Sequence, residues 1–249
     1  MFPSKLKVLI FDIETAPSLG WVWGKFEQDV ISFEQHWYIL SFAAKWLGSN
    51  KIMNYALPDF PGYSKNKEND KYLVEKLWAL MDEADIIIAH NGDKFDIKKS
   101  NARFLVHGLN PPSPYKTIDT LKIARKYFAF DSNRLDDLGK ILGVGEKVST
   151  GGFKLWEECM QGNKKAWAKM KKYNKQDVLL LEKVYMRLRS WLKIHPRVTE
   201  ESTDVCHCCG SHNVQRRGYN YTKCNKFHRY FCKDCGAWTQ GCAVKTVAI

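Results

Sequence analysis

Apolar and polar positions change rhythm along this chain, and the changes mark its elements. Residues 6–13, "LKVLIFDI", form a nearly continuous apolar run of strand length. In "WYILSFAAKWLGSNKIMNYAL" two further strand patterns flank a turn at Gly48-Ser49-Asn50. The period then lengthens: Leu73, Leu77, Leu80, Met81 and Ala84 share one helical face in "DKYLVEKLWALMDEA". The short run "DIIIAHNG" predicts a central strand covered on both faces. Helical patterns are predicted over 96–108, 118–128 and 134–142, the last ended by Gly143, and "TGGFKLW" reads as a loop. From about 164 to 194 the pattern is helical, with a break expected near Lys172 and a buried stripe of Val178, Leu181, Tyr185, Leu188 and Leu192. Strands first and helices after predict an α/β or α+β fold with a buried sheet.

Against this apolar background the acids stand out. Asp12 and Glu14 lie two residues apart in "LIFDIETAP", so on a strand they point the same way. Carboxylates that close repel unless a positive charge neutralises them. The pair is either a solvated strand end or a cation site. Asp96 falls where "IIIAHNGDKFD" turns from strand to helix, a place where it could also act as an N-cap. Asp177 sits in "YNKQD" on the long helix, with Tyr173 four residues earlier on the same face. Four carboxylates at one point, without histidine or cysteine, favour Mg²⁺ or Mn²⁺. Asp93, His90, Asp119 and the Asp136-Asp137 pair are set aside as capping or surface groups.

Composition adds a partner and a compartment. A 249-residue chain with 45% hydrophobic residues can bury one sizeable domain and a smaller second one. The net charge of +12 suggests an anionic partner such as nucleic acid. No apolar run reaches membrane-spanning length and acids interrupt the N-terminal stretch, so no membrane segment or signal peptide is expected. A cytoplasmic protein is the expectation.

The cysteines define the tail. Only Cys159 precedes residue 200, whereas Cys206, Cys208, Cys209, Cys224, Cys232, Cys235 and Cys242 crowd the last fifty or so residues. Cys206-x-x-Cys209 and Cys232-x-x-Cys235, each followed by glycine, have the spacing of two zinc knuckles holding one structural Zn²⁺. The intervening residues suit a β-hairpin. Cys208, Cys224 and Cys242 are surplus, as are His207, His212 and His228. The helical pattern stops at Pro196, which places a boundary between residues 1–196 and 197–249. In the tail, basic Arg216, Arg217, Lys223, Lys226 and Arg229 alternate with Tyr219, Tyr221, Phe227 and Tyr230. Arg216, Arg217, Tyr219 and Tyr221 are candidate nucleic-acid contacts, cations tracking phosphates and rings stacking on bases. A purely structural tail is the rival reading.

"FDIET", "HNGDKFD" and "YNKQD" together resemble the three motifs of the DEDD (DnaQ-like) 3′–5′ exonucleases, and "TIDTLKIARKYF", "NRLDDLGKILG" and "TGGFKLW" also look like the branch related to family B DNA polymerase exonuclease domains. The resemblance covers about residues 6–194, and the tail resembles a zinc ribbon. It implies an α/β, ribonuclease H-like mixed sheet flanked by helices. It further implies two Mg²⁺ or Mn²⁺ ions held by Asp12, Glu14, Asp96 and Asp177, with Asp12 bridging. Tyrosine at 173, with lysine at 172, makes the chain similar to the tyrosine type, in which Tyr173 would orient the attacking water. Asn91 and Phe95 would touch the terminal nucleotide by hydrogen bonding and stacking. The implied activity is release of 5′-mononucleotides from 3′ ends, of DNA more than RNA and single-stranded or frayed, with docking to replication or repair proteins as an option. An RNA-processing exoribonuclease and a non-catalytic nucleic-acid adaptor are the alternatives. The adaptor would be marked by a missing carboxylate, and all four are present.

Overall fold

The computed structural model describes residues 6–26, 29–192, 195–196 and 205–244. The boundary expected at 196/197, the end of the long helix at 193–194 and the side chain of Cys242 lie outside the described residues.

Five strands make the main sheet: β1 (Val8–Thr15), β4 (Ile39–Trp46), β5 (Ile52–Ala56), β6 (Ile86–Ala89) and β7 (Lys116–Asp119). Their order is β5-β4-β1-β6-β7, with β1 central. β4 pairs antiparallel with both β1 and β5, while β6 runs parallel to both β1 and β7. The Gly48 turn (φ 79°) between β4 and β5 supplies the left-handed residue that the hairpin requires. Both parallel connections include a helix, the usual form of the crossover that parallel neighbours need. A separate small hairpin, β2 (Leu19–Trp21) with β3 (Ser32–Gln35), leaves Trp21, Trp23 and Phe26 exposed.

The period-2 alternation of β1 sorts the core into two layers. Leu9, Phe11 and Ile13 point into one cluster with α1 (Lys71–Asp82), Phe104 of α2 (Asp96–Val106) and α5 (Lys154–Gln161). Val8 and Ile10 point into the other, with α3 (Thr120–Tyr127), α4 (Leu135–Ile141) and the later turns of α6 (Lys164–Leu188). Asp12 and Glu14 continue the second series. Helix α6 contributes Ala166, Trp167 and Met170 to the first cluster and Val178 to Leu188 to the second, so Tyr173 to Asp177 sit at the changeover.

Two polar contacts fix α6 along β4. Ser41 Oγ donates to Asn174 Oδ1 at 3.3 Å, and Lys45 Nζ pairs with Glu182. Four residues of strand span about 13 Å and eight of helix about 12 Å, so the two elements run side by side in step. Between these contacts β4 offers only Ala43, the partner of Asp12, which lets the helix approach. A second buried anchor is Asp70, which accepts from Ile39 N–H at 2.8 Å, from Arg103 Nε at 2.8 Å and from Arg103 Nη2 at 2.5 Å, with His107 at 2.6 Å.

Several sequence expectations change. "TGGFKLW" is not all loop: α5 begins at Lys154, its pattern hidden by the two glycines before it. The helix expected over 118–128 begins at Thr120, because "KTID" completes the sheet as β7 and Asp119 caps the helix. Helix α6 has no break at Lys172 and ends at Leu188, followed by a single turn over Arg189–Trp191. No described helix is long and apolar enough to cross a membrane.

The tail is a three-stranded antiparallel sheet, β8 (Val214–Tyr221), β9 (Lys226–Cys232) and β10 (Trp238–Ala243), in the order β10-β9-β8. The expected hairpin is β8–β9.

Candidate active site and metal centres

The acids converge from three separate stretches of chain. Asp12 and Glu14 come from β1, and Asp177 from α6; a carboxylate oxygen from each lies within 4.8 Å of the others. Asp177 Oδ1 is buried with no hydrogen-bond partner. A buried anionic oxygen without a donor is costly, and a cation is what this donor set fits.

Asp96 arrives by a different route. The ladder between β1 and β6 ends at Ile10 and Ile88, so beyond it β1 is paired only with β4 and its other edge has no strand partner. Ile13 N–H donates instead to Asp96 Oδ1 at 3.1 Å. Asp96 is the first residue of α2 and not its N-cap, which is Phe95. It stands outside the three-acid cluster, yet of the neighbouring charges it bears most heavily on Asp12. Gly92 lets the chain turn here, since a Cβ would meet that of Ala89 at 2.3 Å.

Every acid is pushed toward its protonated form. Burial, followed by the charges of Asp96, Glu14 and Asp177, raises Asp12 well above the carboxylate range. Burial and Asp177 push Glu14 up to about 8. Burial lifts Asp96 to about 7 against the opposing hydrogen bond from Ile13. Asp177 is also raised by burial, although Lys147 counteracts it. Carboxylates with pKa values so displaced mark a site built for something positive.

Lys147, absent from the sequence-level site, is the cation now present. Its Nζ lies 2.5 Å from Asp177 Oδ2 and donates to the Tyr173 hydroxyl at 3.2 Å. Burial disfavours its charge, but Asp177, Tyr173 and Asp12 hold its pKa above the usual lysine value. Asp136 Oδ1 fixes it by accepting from Lys147 N–H at 2.7 Å. Asn174 was also missed, although it lies inside "YNKQD" three residues from Asp177. Its Nδ2 donates to Asp12 Oδ2 at 2.7 Å and to the Asp12 carbonyl at 3.1 Å. Tyr173 packs edge-on against Trp156, which also hydrogen-bonds Glu14. Burial and then Asp177 push the Tyr173 phenol far above its usual value, so it keeps its proton.

Asn91 and Phe95, the expected substrate contacts, lie in the turn that leads from β6 into Asp96. Asn91 adopts φ 65° and donates its N–H to Asp119 Oδ1 at 2.9 Å; Asp119 also caps α3 through Leu121 and Lys122. Phe95 is exposed, with Lys99 5.8 Å from its ring. Lys99 also lies 3.6 Å from the Trp37 ring centre. Together with Thr15, Phe153 and Trp156 these two line a cavity of about 540 Å³ that opens beside Glu14.

In the tail, Cys206, Cys209, Cys232 and Cys235 place their sulfurs within 4.8 Å of one another. Each knuckle closes through a glycine at φ 75°, Gly210 and Gly236, whose N–H bonds back to Cys206 and Cys232. Burial pushes Cys235 up to about 12. Cys232 falls below the usual thiol value, because the N–H groups of Cys235 and Asp234 outweigh its burial. Cys208 is buried in the same small core as Cys206 and Cys232, but its Sγ lies 3.7 Å from the Arg189 carbonyl and outside the four-sulfur group; Cys224 is exposed. Neither belongs to the cluster.

Of the four candidate tail contacts, Arg216, Tyr219 and Tyr221 stand on one face of the sheet and Arg217 on the other. Arg216 pairs with Tyr230, Tyr219 with His228 and Tyr221 with Lys226, which puts all six on one face. Arg217 points to the opposite face, over the ring of Phe231.

No curated protein matches the sequence. Among solved structures, the family B DNA polymerase from the hyperthermophilic archaeon Pyrobaculum calidifontis is similar over 76% of this chain, with a TM-score of 0.54 and 15% identity. The chain matches only 25% of that polymerase, so the likeness is one of fold. Residues 42–189 match the RNase H superfamily, a range that takes in most of β4, then β5, β6, β7 and the flanking helices, with β1 lying before it. The chain belongs to the RNase H superfamily.

Proposed function

We propose that this protein is a metal-dependent 3′–5′ exonuclease of the tyrosine-type DEDD group, acting on DNA with single-stranded or frayed 3′ ends. The observation that carries the reading is the meeting of Asp12, Glu14 and Asp177 around a buried, partnerless Asp177 oxygen, with Asp96 beside them. Asp12, at the centre, would be shared between two Mg²⁺ or Mn²⁺ ions, and Glu14, Asp96 and Asp177 would complete their ligands. Bound there, such ions supply positive charge to the phosphate and make the attacking water more acidic. Tyr173 positions that water through its hydroxyl; a phenol this reluctant to ionise is a poor base. Asn174 holds Asp12 in place, and Lys147 supplies charge to Asp177. Asn91 and Phe95 hold the terminal nucleotide. The tail is a zinc ribbon that keeps substrate near the site.

End-labelled single-stranded DNA, duplex DNA and RNA, incubated with Mg²⁺ or Mn²⁺, test the proposal directly. Stepwise shortening from the 3′ end with 5′-mononucleotide products supports it. Preference for RNA would reassign the substrate, internal cuts would exclude the exonuclease, and no cleavage of any of them would leave a binding protein.

A further inference from the structure

Strand β8 does not alternate regularly. Between Arg216 and Tyr219 it advances three residues while β9 advances two, from Tyr230 to His228. Gly218, at φ 74°, takes up the extra residue as a bulge. Arg216, Tyr219 and Tyr221 therefore stand on one face, opposite Tyr230, His228 and Lys226.

On that face the rings are contiguous. Tyr219 lies 5.4 Å from His228 and 6.4 Å from Tyr221, and His228 lies 6.4 Å from Tyr230. Two cations are already set against them: Lys226 Nζ is 3.7 Å from the Tyr219 ring centre and Arg216 is 5.4 Å away. The register places no acidic side chain on this face. Tyr221 is 68% exposed. The opposite face is engaged otherwise: Arg229 lies over Trp238 and its Nε donates to the Arg217 carbonyl. Asn220, Arg229, Trp238 and Gln240 line a cleft shared with Leu192 and His195.

We infer that the face bearing Arg216, Tyr219, Tyr221 and Lys226 binds single-stranded nucleic acid, its cations on the phosphates and its tyrosines under the bases. This deepens the nuclease reading above and rests on it for the occupant's identity. The charge of the face selects a polyanion. The ring platform selects a strand whose bases are free to stack, because a duplex offers mainly its phosphates. Arg217, adjacent in sequence, takes no part.

The test is fluorescence anisotropy with the full-length protein, without added Mg²⁺ or Mn²⁺, against labelled oligothymidylate, oligouridylate and a blunt duplex over a range of salt. Arg216→Gln and Tyr221→Ala should each weaken oligothymidylate binding about ten-fold. Arg216→Gln should also lower the salt slope by about one, whereas Arg217→Gln should leave affinity and slope unchanged. Zinc content, equal in all variants, controls for folding. Equal losses from Arg216→Gln and Arg217→Gln, or tighter binding to the duplex, overturn the assignment. Equal oligouridylate affinity supports the stacking platform, because every base has a ring face. Mononucleotide release from a trinucleotide in Mg²⁺, scored separately, tests the carboxylate site: its absence from the wild type sinks the nuclease reading and leaves the binding result standing.

Discussion

Lys147 Nζ sits between Asp177 and Tyr173, 2.5 Å from the carboxylate and 3.2 Å from the hydroxyl, and so joins two residues of α6 that lie one turn apart. An ammonium in that position occupies part of the space a cation would share with Asp177.

Replacing it should expose that competition. In Lys147→Met, Asp177 loses its partner while remaining buried, and the metal-free protein should lose about 3 kcal/mol of stability. Added Mg²⁺ should recover more stability in this variant than in the wild type, since the ion then supplies the missing charge. Thermal melts with and without Mg²⁺ read both quantities. An unchanged Mg²⁺ response would show that Lys147 and the ion do not share the site.

The raised carboxylates set a pH dependence. Glu14 at about 8 and Asp96 at about 7 lie above their ordinary values near 4, so the folded protein binds more protons than the unfolded chain between those limits. Stability of the metal-free protein is therefore greatest in mild acid and falls as pH rises toward 8. Mg²⁺ should reverse the decline at pH 8 and do little at pH 5, where protons occupy its ligands. Asp12→Asn, which removes one of the repelling charges, should flatten the metal-free profile. Melts across this range that show rising stability without metal would contradict the site's electrostatics.

Two substitutions separate the roles within the cluster. Asp12→Ala should abolish nucleotide release with the fold intact by circular dichroism, because it removes the central ligand. Tyr173→Phe keeps the ring against Trp156 and loses only the hydroxyl. Turnover should fall about 100-fold, the cost of a misplaced reactant, with the Mg²⁺ dependence unchanged. A Tyr173→Phe enzyme at full rate would make the tyrosine a packing residue.

Elemental analysis should find one zinc per chain, and Cys209→Ser should abolish it. The sheet of the main domain does not use these sulfurs, so a chelator should remove the near-ultraviolet signal of the tail tryptophan and tyrosines before the main unfolding transition. A folded tail without zinc would refute the ribbon.

The acids were legible because their spacing is dictated by regular elements. A strand places Asp12 beside Glu14, and a helix places Tyr173 over Asp177. Lys147 carried no such mark. It lies in an irregular stretch after Gly143 and Gly145, both at positive φ, where no period ties a residue to a direction. Asn174 could have been found, since a polar residue three positions from Asp177 on a core-facing stripe needs a partner. Strand β7 is too short, at four residues, to show alternation before a helix. The extra residue in β8 was not legible either, because only the register with the partner strand shows it.

That extra residue changes what an edit to the tail would do. Deleting one residue from a strand ordinarily turns every side chain beyond it to the wrong side. At Gly218 the deletion would instead regularise the ladder, leaving Arg216, Tyr219 and Tyr221 facing as before. Filling the same position with valine would oppose the left-handed backbone and favour a slip that carries both tyrosines to the other face. In this three-stranded sheet the shortened chain is the conservative variant, and the full-length point mutant is the disruptive one.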